Sequence, residues 1–425
     1  RILASDQTQA LGGASWRHLF DKGFTNVTLS QTYNGYNFIQ NDTLLNPIFK
    51  SASDEYETSL RGDIVFQLNK ESELSFGVQG KFIDFNSNII LPIPFWTNFG
   101  QQLTVNSTLD TTAIKSAVYG QWSQSLASNV RMTIGARMDY FNLINEQFSF
   151  SPRFSLSYAP NDVLTFTGSI GQYHQAPSYI WLVANPVNRN LNYVAVTQYV
   201  VGTEYLLRSD VKISLEAYIK DYADYPTSTS RPYLVLANTG AGFGGSEDGY
   251  AAFGLDPLIS AGSGQAHGVE LFLQKKLSEI PCYGLVSISW NEARFNALDG
   301  VSRSSAFDQR WIINLGGGYI LNEFWEFSGK FRFATGRPYT PYNSDGSQNI
   351  GAYNSLRIGA NHSLDLRVDR RWNFAGWNLI TYIDIQNIYN RKAVNVPVYD
   401  QRSKTVKQPE GGIALLPSIG VSAEF

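Results

Sequence analysis

The stretch VRMTIGARMDY, residues 130–140, decides the fold. Val130, Met132, Ile134, Ala136, Met138 and Tyr140 alternate with Arg131, Thr133, Gly135, Arg137 and Asp139. Successive side chains of a strand point to opposite faces, so this segment has one oily face and one charged face. The same period of two returns in 211–220, where Val211, Ile213, Leu215, Ala217 and Ile219 interleave with Lys212, Ser214, Glu216, Tyr218 and Lys220. It returns again in 325–333 and 364–369. Little of the chain carries the helical period of 3.6.

An antiparallel sandwich also has one buried and one wet face, so length and connections must separate the cases. These strands run to about 10 to 15 residues, whereas soluble strands average about 5 to 6 and a tilted membrane strand needs about 9 to 11. The predicted strands are 9–20, 24–37, 54–67, 72–86, 111–123, 128–142, 150–159, 162–174, 193–207, 210–222, 264–277, 281–293, 310–320, 324–335, 362–371, 376–390 and 413–425. Tight turns are expected near Asp21-Lys22-Gly23, Lys70-Glu71, Ala127, Pro160-Asn161, Arg208-Ser209, Glu279-Ile280, Leu321-Asn322-Glu323 and Phe374-Ala375. Longer loops lie between them, such as 87–110, 175–192, 223–263 and 336–361. Short turns at one end opposite long loops at the other are the habit of outer-membrane barrels. The expected fold is all-β: a transmembrane antiparallel up-and-down β-barrel, with about seventeen strands in this sequence. No repeat or linker divides the chain, so residues 1–425 read as one barrel domain.

Composition agrees. Charged residues make up 16% of the 425, against about 25% in soluble domains, while aromatics reach 14%. A net charge of −3 lacks the basic stripe a nucleic-acid binder needs. The one cysteine, Cys282, excludes a disulfide framework and a cysteine-based zinc cluster. No apolar run reaches the length of a transmembrane helix.

The chain ends IALLPSIGVSAEF, residues 413–425, with Ile413, Leu415, Pro417, Ile419, Val421, Ala423 and Phe425 on one face. A final amphipathic strand closing on Phe425 resembles the terminal assembly signal of bacterial outer-membrane proteins. With Phe425 at the periplasmic rim, every long loop falls outside the cell and every tight turn inside. An odd strand count disagrees with the even number of single-chain bacterial barrels. The expectation is that 1–425 is the C-terminal part of a longer protein.

Several segments, taken in order, carry a family resemblance. GQYHQAPS at 171–178 is similar to a G-x-x-x-x-A-P-S segment in the barrels of TonB-dependent receptors. Gly268, Glu270, Leu271 and Lys275 resemble their G-x-E-L-x-x-x-K strand; Asp308-Gln309-Arg310-Trp311 is similar to a late strand start. Thr335-Gly336-Arg337-Pro338 with Pro341 resembles their T-G-x-P-x-x-P segment, and 364–369 with 383–390 their last strand pair. The resemblance covers roughly residues 165–425 and is looser before that. It implies a barrel of about 22 strands, an N-terminal plug and a TonB-binding segment that lie outside this sequence, and energy-coupled uptake of a scarce solute.

The residues themselves add candidate sites. Trp16, Trp122, Trp181, Trp311, Trp325, Trp372 and Trp377 fall near strand ends, as an interfacial girdle requires. Aromatics deep in loops, including Phe99, Tyr225, Tyr233, Phe243, Tyr250 and Tyr353, either stack on a ligand or pack on each other. Trp96, Tyr339 and Tyr342, beside prolines, are the chosen ligand candidates, with Tyr173 and His174 at the outer end of a strand. Arg131, Arg137, Lys220, Lys330, Arg332 and Arg367 share the lumen face with Asp139, Glu216, Glu270, Glu326, Asp365 and Asp384; charges there need a plug or water as partner. His174 has no His partner nearby in sequence, so no metal site is expected there. Asp42, Asp54, Glu55 and Glu57 form a loose acidic cluster that calcium could use, though without EF-hand spacing, and no metal or cofactor is assigned. The enzymatic motifs G-x-S-x-G, H-E-x-x-H and P-loop are missing, and the glycine-rich segment 240–245 reads as a loop.

The expected function is that of an outer-membrane receptor binding a siderophore, vitamin, oligosaccharide or peptide. Its expected partners are lipid, lipopolysaccharide, TonB and that extracellular ligand, with no nucleic acid. The rival readings are a scaffold barrel in an envelope complex holding a surface lipoprotein or other envelope proteins, a passive porin, and a soluble lectin-like β protein.

Overall fold

The computed structural model of the chain describes residues 2–41, 44–90, 95–96, 102–103, 106–238, 254–400, 402–412 and 414–425. Seventeen long strands follow one another: β1 (Ile2–Phe20), β2 (Gly23–Asn41), β3 (Pro47–Asn69), β4 (Ser72–Ile90), β5 (Asn106–Ala127), β6 (Val130–Phe141), β7 (Phe148–Asn161), β8 (Leu164–Gln175), β9 (Val194–Arg208), β10 (Val211–Ser228), β11 (Leu258–Lys275), β12 (Cys282–Asn296), β13 (Trp311–Ile320), β14 (Trp325–Ala334), β15 (Asn361–Phe374), β16 (Trp377–Gln386) and β17 (Leu416–Glu424). Each pairs antiparallel with the next. This is the up-and-down wall expected from the alternation. No ladder joins β1 to β17 among the described residues.

Register shows which solvent each face meets. Across β6 and β7, Met132 faces Leu156, Ile134 faces Phe154 and Met138 faces Phe150; the intervening pairs are Arg131 with Ser157, Thr133 with Ser155 and Arg137 with Ser151. The apolar row stays open, with Ile134 45% and Phe150 56% exposed. So many bare large apolar side chains in one belt would be untenable in water and are at home in hydrocarbon. No helix is long and apolar enough to cross a membrane among the described residues; the strands do the crossing.

The buried core is not between layers but in the outer mouth of the wall. Ile83 and Phe85 of β4, Ala113 of β5, Phe141 of β6 and Leu258 of β11 meet loop residues Leu143, Ile144, Leu182, Leu191, Leu234 and Leu236. Strands so far apart in sequence share these contacts because the wall curves round them. Each of these leucines and phenylalanines contributes about 1.5 to 3 kcal/mol on burial. That explains loops holding form above the membrane.

Two readings shift. The turn expected at Pro160-Asn161 falls at Asp162-Val163 instead. Ala159 and Pro160 bulge opposite Thr165, where proline needs no ladder donor, and Asn161 Oδ1 accepts from the backbone N–H groups of Val163 and Leu164. Trp181 leaves the expected girdle: it lies in the helix α1 (Tyr179–Ala184) and packs against the mouth core.

Candidate functional site

The lumen wall and the mouth above it hold the candidate chemistry. Residues two apart share a strand face, and this spacing makes ion pairs along the wall. Arg61 pairs with Asp63 at 2.7 Å, Arg137 with Asp139 at 2.7 Å and Arg367 with Asp369 at 2.6 Å. Tyr119 Oη donates to Asp63 at 2.5 Å. Its ring covers Gly77, where a Cβ would meet it at 2.3 Å, so only glycine lets the tyrosine lie flat. Two recesses open on this wall. One, of about 460 Å³, is lined by Arg61, Asp63, Tyr119, Arg137 and Arg153. The other, of about 610 Å³, includes Lys330, Asp365, Arg367 and Asp384. Both present hydrogen-bonding groups of both signs.

Above the recesses the loops are tied down by polar anchors inside the apolar core. Lys115 of β5 points up between two rings, 4.6 Å from Phe141 and 4.3 Å from Tyr179 of α1. Burial pushes the Tyr179 hydroxyl well above its ordinary pKa, helped by Glu55 and Glu57. Asn188, with no exposure, donates to the carbonyls of Trp181 and Asp256 and accepts from the Leu258 N–H at 2.7 Å. Arg231 and Asp256, 2% and 3% exposed, pair at 2.6 Å. Asp308, fully buried, holds Arg357 at 2.5 Å. This last pair links the Asp308-Gln309-Arg310-Trp311 segment to the loop between β14 and β15.

The candidate ligand residues lie on different elements. Tyr173 is 37% exposed, with the Arg153 guanidinium 4.5 Å over its ring. His174 Nδ1 lies 2.9 Å from Ser151 Oγ, and its ring meets Tyr193 edge-on at 6.4 Å. Tyr193 in turn donates to the Gln147 carbonyl, and burial raises its hydroxyl pKa. Tyr339 lies in a two-residue strand against Leu356–Arg357. Tyr342 is half-buried near Tyr399, ring centres 6.0 Å apart. Among the described residues no ring contact joins Tyr339 or Tyr342 to Tyr173 or His174. The backbone of Trp96 pairs with Gln102, but its side chain lies outside the described ones, as do Asp42, Phe99, Phe243, Tyr250 and the segment 240–245. No cluster able to hold a metal occurs among the described residues.

Sequence reasoning missed the anchors Asn188, Arg231 and Asp256. The available signal was the apolar runs inside two loops, YIWLVA at 179–184 and YLVLAN at 233–238. Such runs need a core, and a buried core in a loop needs polar anchors for its backbone.

With this geometry in hand, comparison with known proteins decides the family. The sequence model described as "TonB dependent receptor-like, beta-barrel" matches residues 3–388. The chain belongs to the TonB-dependent receptors. It is therefore an outer-membrane β-barrel of a bacterium, in a family of receptors and transporters. No curated protein sequence matches it. Three solved structures show how far the receptor fold is shared. The ferric citrate transporter FecA in its unliganded form superposes with a TM-score of 0.67 at 13% identity, covering 98% of this chain and 61% of that one. FpvA of P. aeruginosa bound to heterologous pyoverdines gives 0.70 at 14%, covering 98% and 56%. The ferric-catecholate import receptor Fiu of E. coli K12 gives 0.69 at 9%, covering 99% and 64%. This receptor chain thus spans less than two thirds of the length of each.

Proposed function

We propose that this receptor barrel takes up a scarce extracellular solute by TonB-dependent, energy-coupled transport, and that residues 1–425 form one barrel domain of a longer receptor. The observation that carries the reading is the anchored apolar loop core over a lumen wall lined with charges of both signs. A passive porin keeps its mouth open to water, whereas here loop residues such as Leu182, Leu191, Leu234 and Leu236 pack an apolar core against the strands at the mouth. Wall charges of both signs suit a polar plug domain that slides or rearranges. The solute is a siderophore, vitamin, oligosaccharide or peptide, engaged by Trp96, Tyr173, His174, Tyr339 and Tyr342, the His174 ring being oriented by Ser151 and Tyr193. FecA, FpvA and Fiu are described with ferric citrate, pyoverdines and ferric catecholates. That favours an iron chelate recognised through its organic part.

The test is growth of a strain lacking the gene, on each solute class as limiting nutrient, complemented by the whole receptor. A defect on one class, reproduced by removing TonB, supports the reading. Normal growth on all four classes, or uptake that persists without TonB, sinks it.

A further inference from the structure

We propose that Arg370 and the two tryptophans flanking it bind the phosphate headgroup of an anionic phospholipid in the periplasmic leaflet. Arg370 lies on the outward row of β15: its cross-strand partners are Trp325 of β14 and Thr381 of β16, and Thr381 continues to Val421 of β17. Leu366 on the same row is 40% exposed, Val421 71% and Trp372 40%, so the row faces lipid. Asp369 and Arg371 alternate with it onto the lumen side, where Asp369 pairs with Arg367 and Arg371 with Glu424.

The height is set by the strand ends. Trp325 is the first residue of β14, and β15 ends at Phe374 before the tight turn Ala375-Gly376. Arg370 is therefore at the turn end of the belt, which in such barrels faces the periplasm. A charge facing hydrocarbon is costly at midplane and cheap at the interface, where the nearest anions are lipid phosphates. Lys275 shares this rim on the outward row of β11, but Asp210 neutralises it at 2.6 Å. Arg370 has no such partner. Among the described residues its guanidinium makes no ion pair or hydrogen bond, and its Nε is buried and unpaired.

What it has instead is two rings. Its guanidinium carbon stands 4.9 Å from the Trp325 ring centre and 4.0 Å from that of Trp372. Trp372 Nε1 donates to Thr381 Oγ1 at 3.1 Å, which fixes that ring. Stacking on aromatic faces holds the planar cation without neutralising it. The edge of the fork is left for a bidentate phosphate. Phosphatidylglycerol satisfies it fully, whereas the ammonium of phosphatidylethanolamine competes with it for the same phosphate.

The experiment is native mass spectrometry of the purified receptor from neutral detergent, offered dioleoyl phosphatidylglycerol, dioleoyl phosphatidylethanolamine or inorganic phosphate. The wild type is expected to retain one phosphatidylglycerol in preference to phosphatidylethanolamine. R370Q should weaken that retention about tenfold, as loss of a charge-assisted pair implies, and the lumen-facing R332Q should leave it unchanged. Equal retention by wild type and R370Q overturns the proposal, as does an equal loss in R332Q or equal retention of the two lipids. Displacement of the lipid by millimolar inorganic phosphate overturns it in favour of a general anion site. Folding of each variant is read from heat-modifiable gel migration. Should R370Q not fold, W372L carries the test: it keeps the charge and loses a ring, so weaker retention supports the site and unchanged retention refutes it.

Discussion

At the scale of single residues, the candidate ligand set shows what composition can and cannot reveal. That Tyr173, Tyr339 and Tyr342 sit at the outer end of the molecule was legible from loop lengths alone. That Arg153 covers the Tyr173 ring, or that His174 turns to Ser151, was not, because those partners come from other strands. The same blindness hid Arg231 and Asp256, which lie in one long loop and meet only when it folds. Their pair makes a sharp prediction. Removing one partner of a buried pair leaves a bare charge and costs about 3 to 5 kcal/mol, so D256N should loosen the loop core while the barrel below stays folded. Limited proteolysis should cut the loop between β10 and β11 much faster in D256N, with heat-modifiable migration unchanged; equal cutting rates would refute it. A second prediction concerns acid. In the turn between β9 and β10, Lys275 and then Ser278 hydrogen-bond Asp210 and hold its pKa at about 2. Its unfolded value is that of an ordinary carboxylate, about 4. A depressed folded pKa gives stability that is complete above about pH 4 and lost as pH falls towards about 2. The stability gap between wild type and D210N should therefore be constant near neutrality and close across that window. A gap independent of pH from 5 down to 2 in denaturant titrations would disprove the linkage.

At the scale of elements, the seventeen predicted strands correspond one to one with β1–β17, because the period of two is enforced wherever one face meets hydrocarbon and the other the lumen. The boundaries slipped mainly at the outer ends. Strand β3 starts at Pro47 rather than 54, and β10 runs on to Ser228 rather than 222. Above the membrane the hairpins continue, but both faces are wet or packed and the alternation stops. The short helix α1 was invisible for a related reason: six residues carry too little periodicity to register. Its place is set by tertiary contacts, chiefly Lys115 against Tyr179 and Phe141. A cation–π contact out of water is worth up to about 2 kcal/mol, so Y179L should leave α1 packed by its apolar side chains but less firmly held. A spin label at Val187, 43% exposed in the adjoining turn, should report faster motion in Y179L and in K115M. Identical spectra in all three would show that Lys115 does not anchor the helix.

At the scale of the whole molecule, Phe425 is where stability and assembly can be tested separately. The last strand β17 has nine residues and pairs with β16, where Pro417 stands opposite Ile385. Phe425 follows it, 99% exposed among the described residues, with a stacked contact to Trp377 at 6.0 Å between ring centres. A side chain so open contributes little to the folded state; deletions of this kind fall within about 0.5 kcal/mol. Yet the residue stands at the end of an alternating strand, where assembly machinery of the outer membrane would read it before the barrel exists. Deleting Phe425 should therefore leave the thermal midpoint of barrel refolded in detergent within error of wild type. The same deletion should sharply lower the amount of heat-modifiable receptor in the outer membrane of living cells. If both quantities fell together, Phe425 would be a structural residue of the rim and not a signal. If neither changed, the amphipathic row from Leu415 to Ala423 would itself suffice for assembly.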